Sequence, residues 1–156
     1  MPQVRAFATA KDEQKAVATW LRERVAEGLE PREIGVFVRS EAQIERACHA
    51  MDLAGIAYRK LNAQVELTSG YAAIGVMHLA KGLEFRAVAV MACDDEVLPL
   101  QARIEQVGED GDLQDVYDSE RHLLYVACTR ARDYLHVSGV GPASEFLEDL
   151  NRCAFR

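Results

Sequence analysis

The stretch Ile74-Gly75-Val76-Met77-His78-Leu79-Ala80-Lys81-Gly82-Leu83-Glu84-Phe85-Arg86-Ala87-Val88-Ala89-Val90-Met91-Ala92 decides how this chain is read. Its two ends, Ile74 to Met77 and Ala87 to Ala92, are continuous apolar runs. Such runs belong to parallel strands covered on both faces, because a strand with one wet side alternates polar and apolar residues. Between them lie a histidine, a lysine, a glycine and a glutamate. Taken alone, this insert reads as a tight turn with Gly82 at positive φ and two solvated charges.

The same rhythm extends outward. A strand-like run from Gln3 to Thr9 leads into Thr9-Ala10-Lys11-Asp12, which has capping-box spacing, and then into an apolar stripe at Ala16, Val17, Trp20, Leu21 and Val25, stopped by Gly28 and Pro31. Ile34 to Val38 reads as a buried strand. Ser40-Glu41-Ala42-Gln43 is a second capping box, opening a helix with Ile44, Ala47, Cys48 and Met51 on one face and Gly55 at its end. Ala57 to Leu61 is a further strand. After a long acidic loop, a helix is expected from Val116 to Ala131, a strand from Tyr134 to Ser138 and a short helix from Ser144 to Leu150. Alternating elements of this kind predict an α/β sandwich with a mainly parallel sheet, whose binding sites lie at the C-terminal strand edges.

Composition narrows the class. The chain has 156 residues, 49% hydrophobic and 28% charged, with 10 Gly and 4 Pro, so it suits one folded domain and excludes collagen-like, low-complexity and disordered classes. The net charge of -7 argues at first against nucleic acid. Ten acids against Arg103 alone fall between Cys93 and Glu120, however, and the remainder holds 15 acids and 17 bases. Cys48, Cys93, Cys128 and Cys153 form no CxxC pair and have no zinc spacing with the four histidines, which fits a reducing cytoplasm. No apolar run approaches membrane-spanning length, and no signal-peptide pattern opens the chain. Neither a GxxxxGK[ST] phosphate loop nor a GxGxxG turn is present, so any nucleotide role is shared with another domain.

A second segment carries chemistry: Glu120-Arg121-His122-Leu123-Leu124-Tyr125-Val126-Ala127-Cys128-Thr129-Arg130-Ala131-Arg132. Two cations at a helix end offset the macrodipole, and a guanidinium held there is also able to fork onto phosphate oxygens. In this order and spacing, His78 to Phe85 and Glu120 to Arg132 resemble motifs V and VI of UvrD/Rep-type superfamily one helicases. Ile34-Gly35-Val36-Phe37-Val38-Arg39-Ser40 looks like motif IV, and Asp94-Asp95-Glu96-Val97-Leu98-Pro99 like the acidic turn after motif V. The resemblance runs from Ile34 to Ser138.

That resemblance implies a RecA-like three-layer α/β sandwich without a phosphate loop of its own. Residues 1–156 would be a single C-terminal RecA-like domain of a larger protein, with only Gly55 to Ala73 where the family inserts an accessory domain. It implies an ATP-dependent DNA helicase, 3′-to-5′, with ATP and Mg²⁺ held against an N-terminal RecA-like domain, and a fragment inactive alone. Arg39 and Arg130 resemble the arginine fingers, Glu84 the ribose acceptor with Gly82 beside it, and His78 and Lys81 part of the single-stranded DNA path. Val38 replaces an adenine-stacking aromatic and Val76 a phosphate-contacting threonine. The implied partners are single-stranded or duplex DNA, the N-terminal domain, and a protein docking on the acidic loop 94–120. Two other readings stay open: a catalytically silent RecA-like adaptor, and a phospho-acceptor receiver using Asp94 or Asp95.

Overall fold

The computed structural model describes residues 2–62, 69–107 and 113–154. In chain order the elements are β1 (Gln3–Phe7), α1 (Ala10–Ala26), β2 (Ile34–Val38), α2 (Ile44–Ala54), β3 (Tyr58–Lys60), β4 (Ala72–Val76), β5 (Phe85–Val90), α3 (Gln101–Glu105), α4 (Leu113–Cys128), β6 (Ala131–Val140) and α5 (Phe146–Ala154). The strands form one sheet in the order β1-β6-β5-β2-β4-β3, and every neighbouring pair is parallel.

The period of two in the apolar runs divides the core into two layers. Ile34, Val36 and Val38 of β2, with Ala87 and Ala89 of β5 and Met91 just after it, pack against Val17, Trp20 and Leu21 of α1 and Ala47 and Met51 of α2. Phe37, Val88, Val90 and Val137 face the other way, onto Leu124, Ala127 and Cys128 of α4 and Phe146 and Leu147 of α5. A side chain on successive strand residues points to opposite faces, so a strand apolar at every position demands a helix layer on each side. This is the expected three-layer sandwich. No helix among the described residues is long and apolar enough to cross a membrane.

Local signals hold unevenly. Thr9 Oγ1 accepts a hydrogen bond from the Asp12 backbone N–H at 3.1 Å and starts α1. Gly55 closes α2 in the left-handed region, φ 72°. Ser40, in contrast, makes no side-chain cap; a 3-10 turn at Glu41–Gln43 intervenes and α2 begins at Ile44. The acidic stretch is more structured than a loop. It contains α3, and α4 starts at Leu113, where Asp115 in the first turn complements the positive end of the helix dipole.

Candidate functional site

The segment between β4 and β5 is not a tight turn. Both strands run in the same direction with β2 between them, so the chain must leave the C-terminal edge of β4, cross the sheet over β2 and enter β5 at the N-terminal edge. The crossing has its own periodicity. Met77 and Ala80 are buried and Leu83 packs against the same core, while His78, Lys81 and Glu84 are exposed. Three polar side chains at intervals of three are thus laid out along one outward line, from His78 at one edge to Glu84 at the other. Gly82 has φ 83° with open space where a Cβ would be, so its requirement is for left-handed backbone rather than room.

Around the C-terminal edge lies a buried ionic cluster. Arg39 follows the last residue of β2 and is 4% exposed; Glu120, on α4, is fully buried. Arg39 Nε donates to both Glu120 oxygens at 3.0 Å, and Nη2 lies 2.8 Å from Oε2. The Leu100 N–H also donates to Glu120, and Arg103 Nη1 approaches Oε2 at 3.2 Å. His78 stands over this cluster in the 3-10 turn Met77–Leu79. Loss of solvent and the positive charge of Arg39 push the imidazole below its ordinary range; Glu120 opposes this and Arg103 adds to it.

The N-terminal edge presents a different set. The Arg130 carbonyl accepts the Phe85 N–H at 2.9 Å, which anchors the end of α4 beside Glu84 at the start of β5. Arg130 Nη2 donates to Thr129 Oγ1 at 3.2 Å, and Arg130 Nε is buried with no hydrogen-bond partner. A cavity of about 420 Å³ opens here, lined by Arg32, Glu33, Tyr71, Glu84, Arg86 and Arg132 among others. Glu84 Oε1 lies a loose 3.8 Å from Arg132 Nε, whereas Arg86 Nε holds Asp133 at 2.8 Å. An acceptor-only carboxylate, Glu84, and the guanidiniums of Arg32, Arg86 and Arg132 around one cavity suit a ribose bearing phosphates. No group of His, Cys, Asp and Glu placed to hold a metal occurs among the described residues.

Two expectations change. Glu84 and Arg130 lie at the N-terminal edge, whereas His78 and Arg39 are the named site residues at the C-terminal edge where binding was expected. Second, Arg39 does not join Arg130. From the registers Ile34↔Ala87 and Phe85↔Ala131, the two arginines are separated by about eight residues along the strands, on the order of 25 Å. Arg39 is also spent on Glu120, so the pair cannot converge on one phosphate. Val38 is fully buried in the α1/α2 core, so no ligand contact arises at that position.

A second network escaped the sequence reading. Glu13 of α1, fully buried, binds Arg46 Nε at 2.7 Å, the Ala92 N–H at 3.0 Å and Ser138 Oγ at 2.8 Å. Arg46 in turn forks onto both oxygens of Asp94, which also accepts the Val140 N–H. Asp94 is therefore committed to holding α2 and β6 together and is unsuited to accept a phosphoryl group.

Comparison with known proteins bears on the same segments. The curated relatives this chain resembles include a DNA helicase II of Rickettsia typhi, 32% identical over 87 residues, which are 56% of this chain and 12% of that protein. Another is a putative ATP-dependent DNA helicase, YjcD, of Bacillus subtilis, 38% identical over 79 residues, 51% of this chain and 10% of that protein. The chain thus spans about a tenth of the length of these relatives. The crystal structure of the C-terminal domain of a possible DNA helicase from Lactobacillus plantarum superposes with a TM-score of 0.69 over 97% of this chain and 81% of that one. Its identity is 24%, so this likeness speaks for the fold. Residues 60–140 match the model of the UvrD-like helicase C-terminal domain, and they include β4, the crossing, β5, α4 and β6. With just over half its length inside that match, and both edges of the site carried by it, the chain belongs to the UvrD-like helicase C-terminal domain family.

Proposed function

We propose that this chain is the second motor domain of an ATP-driven DNA translocase, a 3′-to-5′ helicase, and that it works by holding nucleotide at one edge of its sheet and a DNA strand at the other. The observation that carries the reading is the crossing from His78 to Glu84, one rigid connection between β4 and β5 that touches both edges.

Glu84 is the acceptor for a ribose hydroxyl, for which a carboxylate beside an anchored strand start is suited. Arg130 faces the cleft toward the first RecA-like domain, and its permanent charge stabilises negative charge that builds on the departing γ-phosphoryl group. ATP, when bound, supplies the free energy of its hydrolysis; the phosphate loop and the Mg²⁺ ligands belong to the partner domain. His78 and Lys81 lie along the DNA strand. Arg39 acts inside the domain, holding Glu120 and through it α4, the helix whose end leads into Arg130.

The experiment is Arg130→Ala in the full-length protein. ATP turnover should fall by two orders of magnitude or more, with the domain's melting temperature unchanged. Unchanged turnover would remove Arg130 from the reading. The 156-residue chain by itself should show no ATPase activity, since it has no phosphate cradle.

A further inference from the structure

The cluster at the C-terminal edge is unbalanced. One carboxylate, Glu120, faces two guanidiniums, Arg39 and Arg103. Arg39 is enclosed and makes three close contacts with Glu120, so it fully answers that charge. Arg103 reaches Glu120 through Nη1 alone at 3.2 Å, has a side chain 38% exposed, and has no other ion-pair partner among the described residues. A guanidinium has five N–H donors in a fixed fork, so most of its donor capacity points elsewhere.

The placement of that charge is selective. Arg103 is the sole base between Cys93 and Glu120, a stretch with ten acids. The acids around it on α3 and early α4 would repel a polyanion, and one arginine tethered by Glu120 is held at the edge where His78 stands. The field is felt there: Arg39 and Arg103 both disfavour the charged form of His78. A half-exposed cation, positioned by a buried carboxylate that is already neutralised from behind, is a built anion contact.

We propose that Arg103 is a nucleic-acid ligand, binding one backbone phosphate of the strand that passes His78, with Glu120 as its positioning residue. On binding, the fork of Arg103 turns to the phosphate while Glu120 stays paired with Arg39, so no buried charge is left alone. The proposal rests on the reading that the C-terminal edge carries the nucleic-acid strand, and extends it to a residue outside the recognised motifs.

The test uses this chain and a fluorescently labelled oligo-dT, with affinity read by anisotropy across a series of salt concentrations. Each phosphate neutralised on a single strand contributes about 0.7 to the slope of log K against log salt. Arg103→Gln should weaken binding several-fold at low salt and reduce the slope by about that amount, while Arg103→Lys retains the slope. His78→Ala is measured in parallel, with Arg22→Gln, on the exposed side of α1, as the distant control. If His78→Ala weakens binding and Arg103→Gln leaves both affinity and slope unchanged, the assignment of Arg103 is wrong and the edge reading survives. If oligo-dT binds no more weakly to either variant than to the unaltered chain, both fall together. A purely structural Arg103 would instead lower the melting temperature without moving the salt slope.

Discussion

Arg39 and Glu120 meet across 81 positions of chain in a salt bridge closed from solvent, 2.8 Å from Nη2 to Oε2, with side-chain exposures of 5% and 0%. It joins the end of β2 to α4 over the face of the sheet. Taking both charges out of water is costly, so the pair adds little net stability, but either partner left alone would be a buried uncompensated charge. Arg39→Ala is therefore expected to cost about 3–5 kcal/mol in urea unfolding. Arg39→Met combined with Glu120→Leu should recover much of that loss. A single substitution costing under about 1 kcal/mol would mean that the cluster is wetter than its exposure implies.

The Glu13–Arg46–Asp94 chain makes a parallel case on the opposite face. Glu13 alone satisfies the Ala92 N–H, at a residue held at φ 59°, where non-glycine backbone is rare. Glu13→Ala would leave that N–H, Ser138 Oγ and part of Arg46 without partners at once. The expected loss is about 3–5 kcal/mol, and Asp94→Asn, which keeps an acceptor at the same place, is expected to cost less. Equal losses for the two would show that Asp94, not Glu13, is the centre of the network.

Much of this was legible in the order of residues. Ile34–Val38 coincides with β2, and unbroken apolar runs announced a sheet covered twice, because burial on both faces leaves no position for a polar side chain. The spacing of Met77, Ala80 and Leu83 against His78, Lys81 and Glu84 is likewise present in the sequence. It reads as an extended crossing once a period of three is sought instead of two or 3.6. What could not be read was partnership. Glu13 sits one turn before Val17 on the apolar stripe of α1, a signal that an acid is buried, but nothing local names Arg46, 33 residues on. Arg39 ends a buried strand beside the sheet, and its role depended on which edge of the sheet Arg130 reached. That follows from parallel pairing, which puts a residue after β2 and a residue before β6 at opposite edges, whereas nothing local names Glu120 as the partner of Arg39.

Acid should expose His136. Its ring is 1% exposed against Trp20, and burial, with Arg5 nearby, pulls its pKa from 6.5 down to about 4. The folded state therefore favours the neutral ring. The stability this confers is complete above about pH 6.5 and declines as pH falls toward 4, where protonation is resisted only by the fold. The difference is on the order of 3 kcal/mol. Stability measured by urea unfolding at intervals between pH 7 and 4 should fall along this slope, and His136→Gln should flatten it. An unchanged slope in the variant would show that His136 is not the source of the acid sensitivity.

Glu84 provides the sharpest separation between binding and folding. Its carboxylate lies 3.8 Å from Arg132 Nε with both side chains more than half exposed, so this contact is worth little and breaking it should leave the melting temperature unchanged. On the proposed role, the carboxylate instead discriminates sugars, because a buried or ligand-facing acceptor left without its donor costs more than a missing contact. In the full-length protein, Glu84→Ala is expected to raise KM for ATP several-fold with a smaller effect on kcat, since a ribose contact is made equally in ground and transition states. The same substitution should erase the preference for ATP over either 2′-deoxy or 3′-deoxy ATP, whichever analogue lacks the bonded hydroxyl. If the unaltered protein prefers ATP and the variant keeps that preference in full, Glu84 does not touch the ribose, and the cavity at the N-terminal edge holds some other part of the nucleotide.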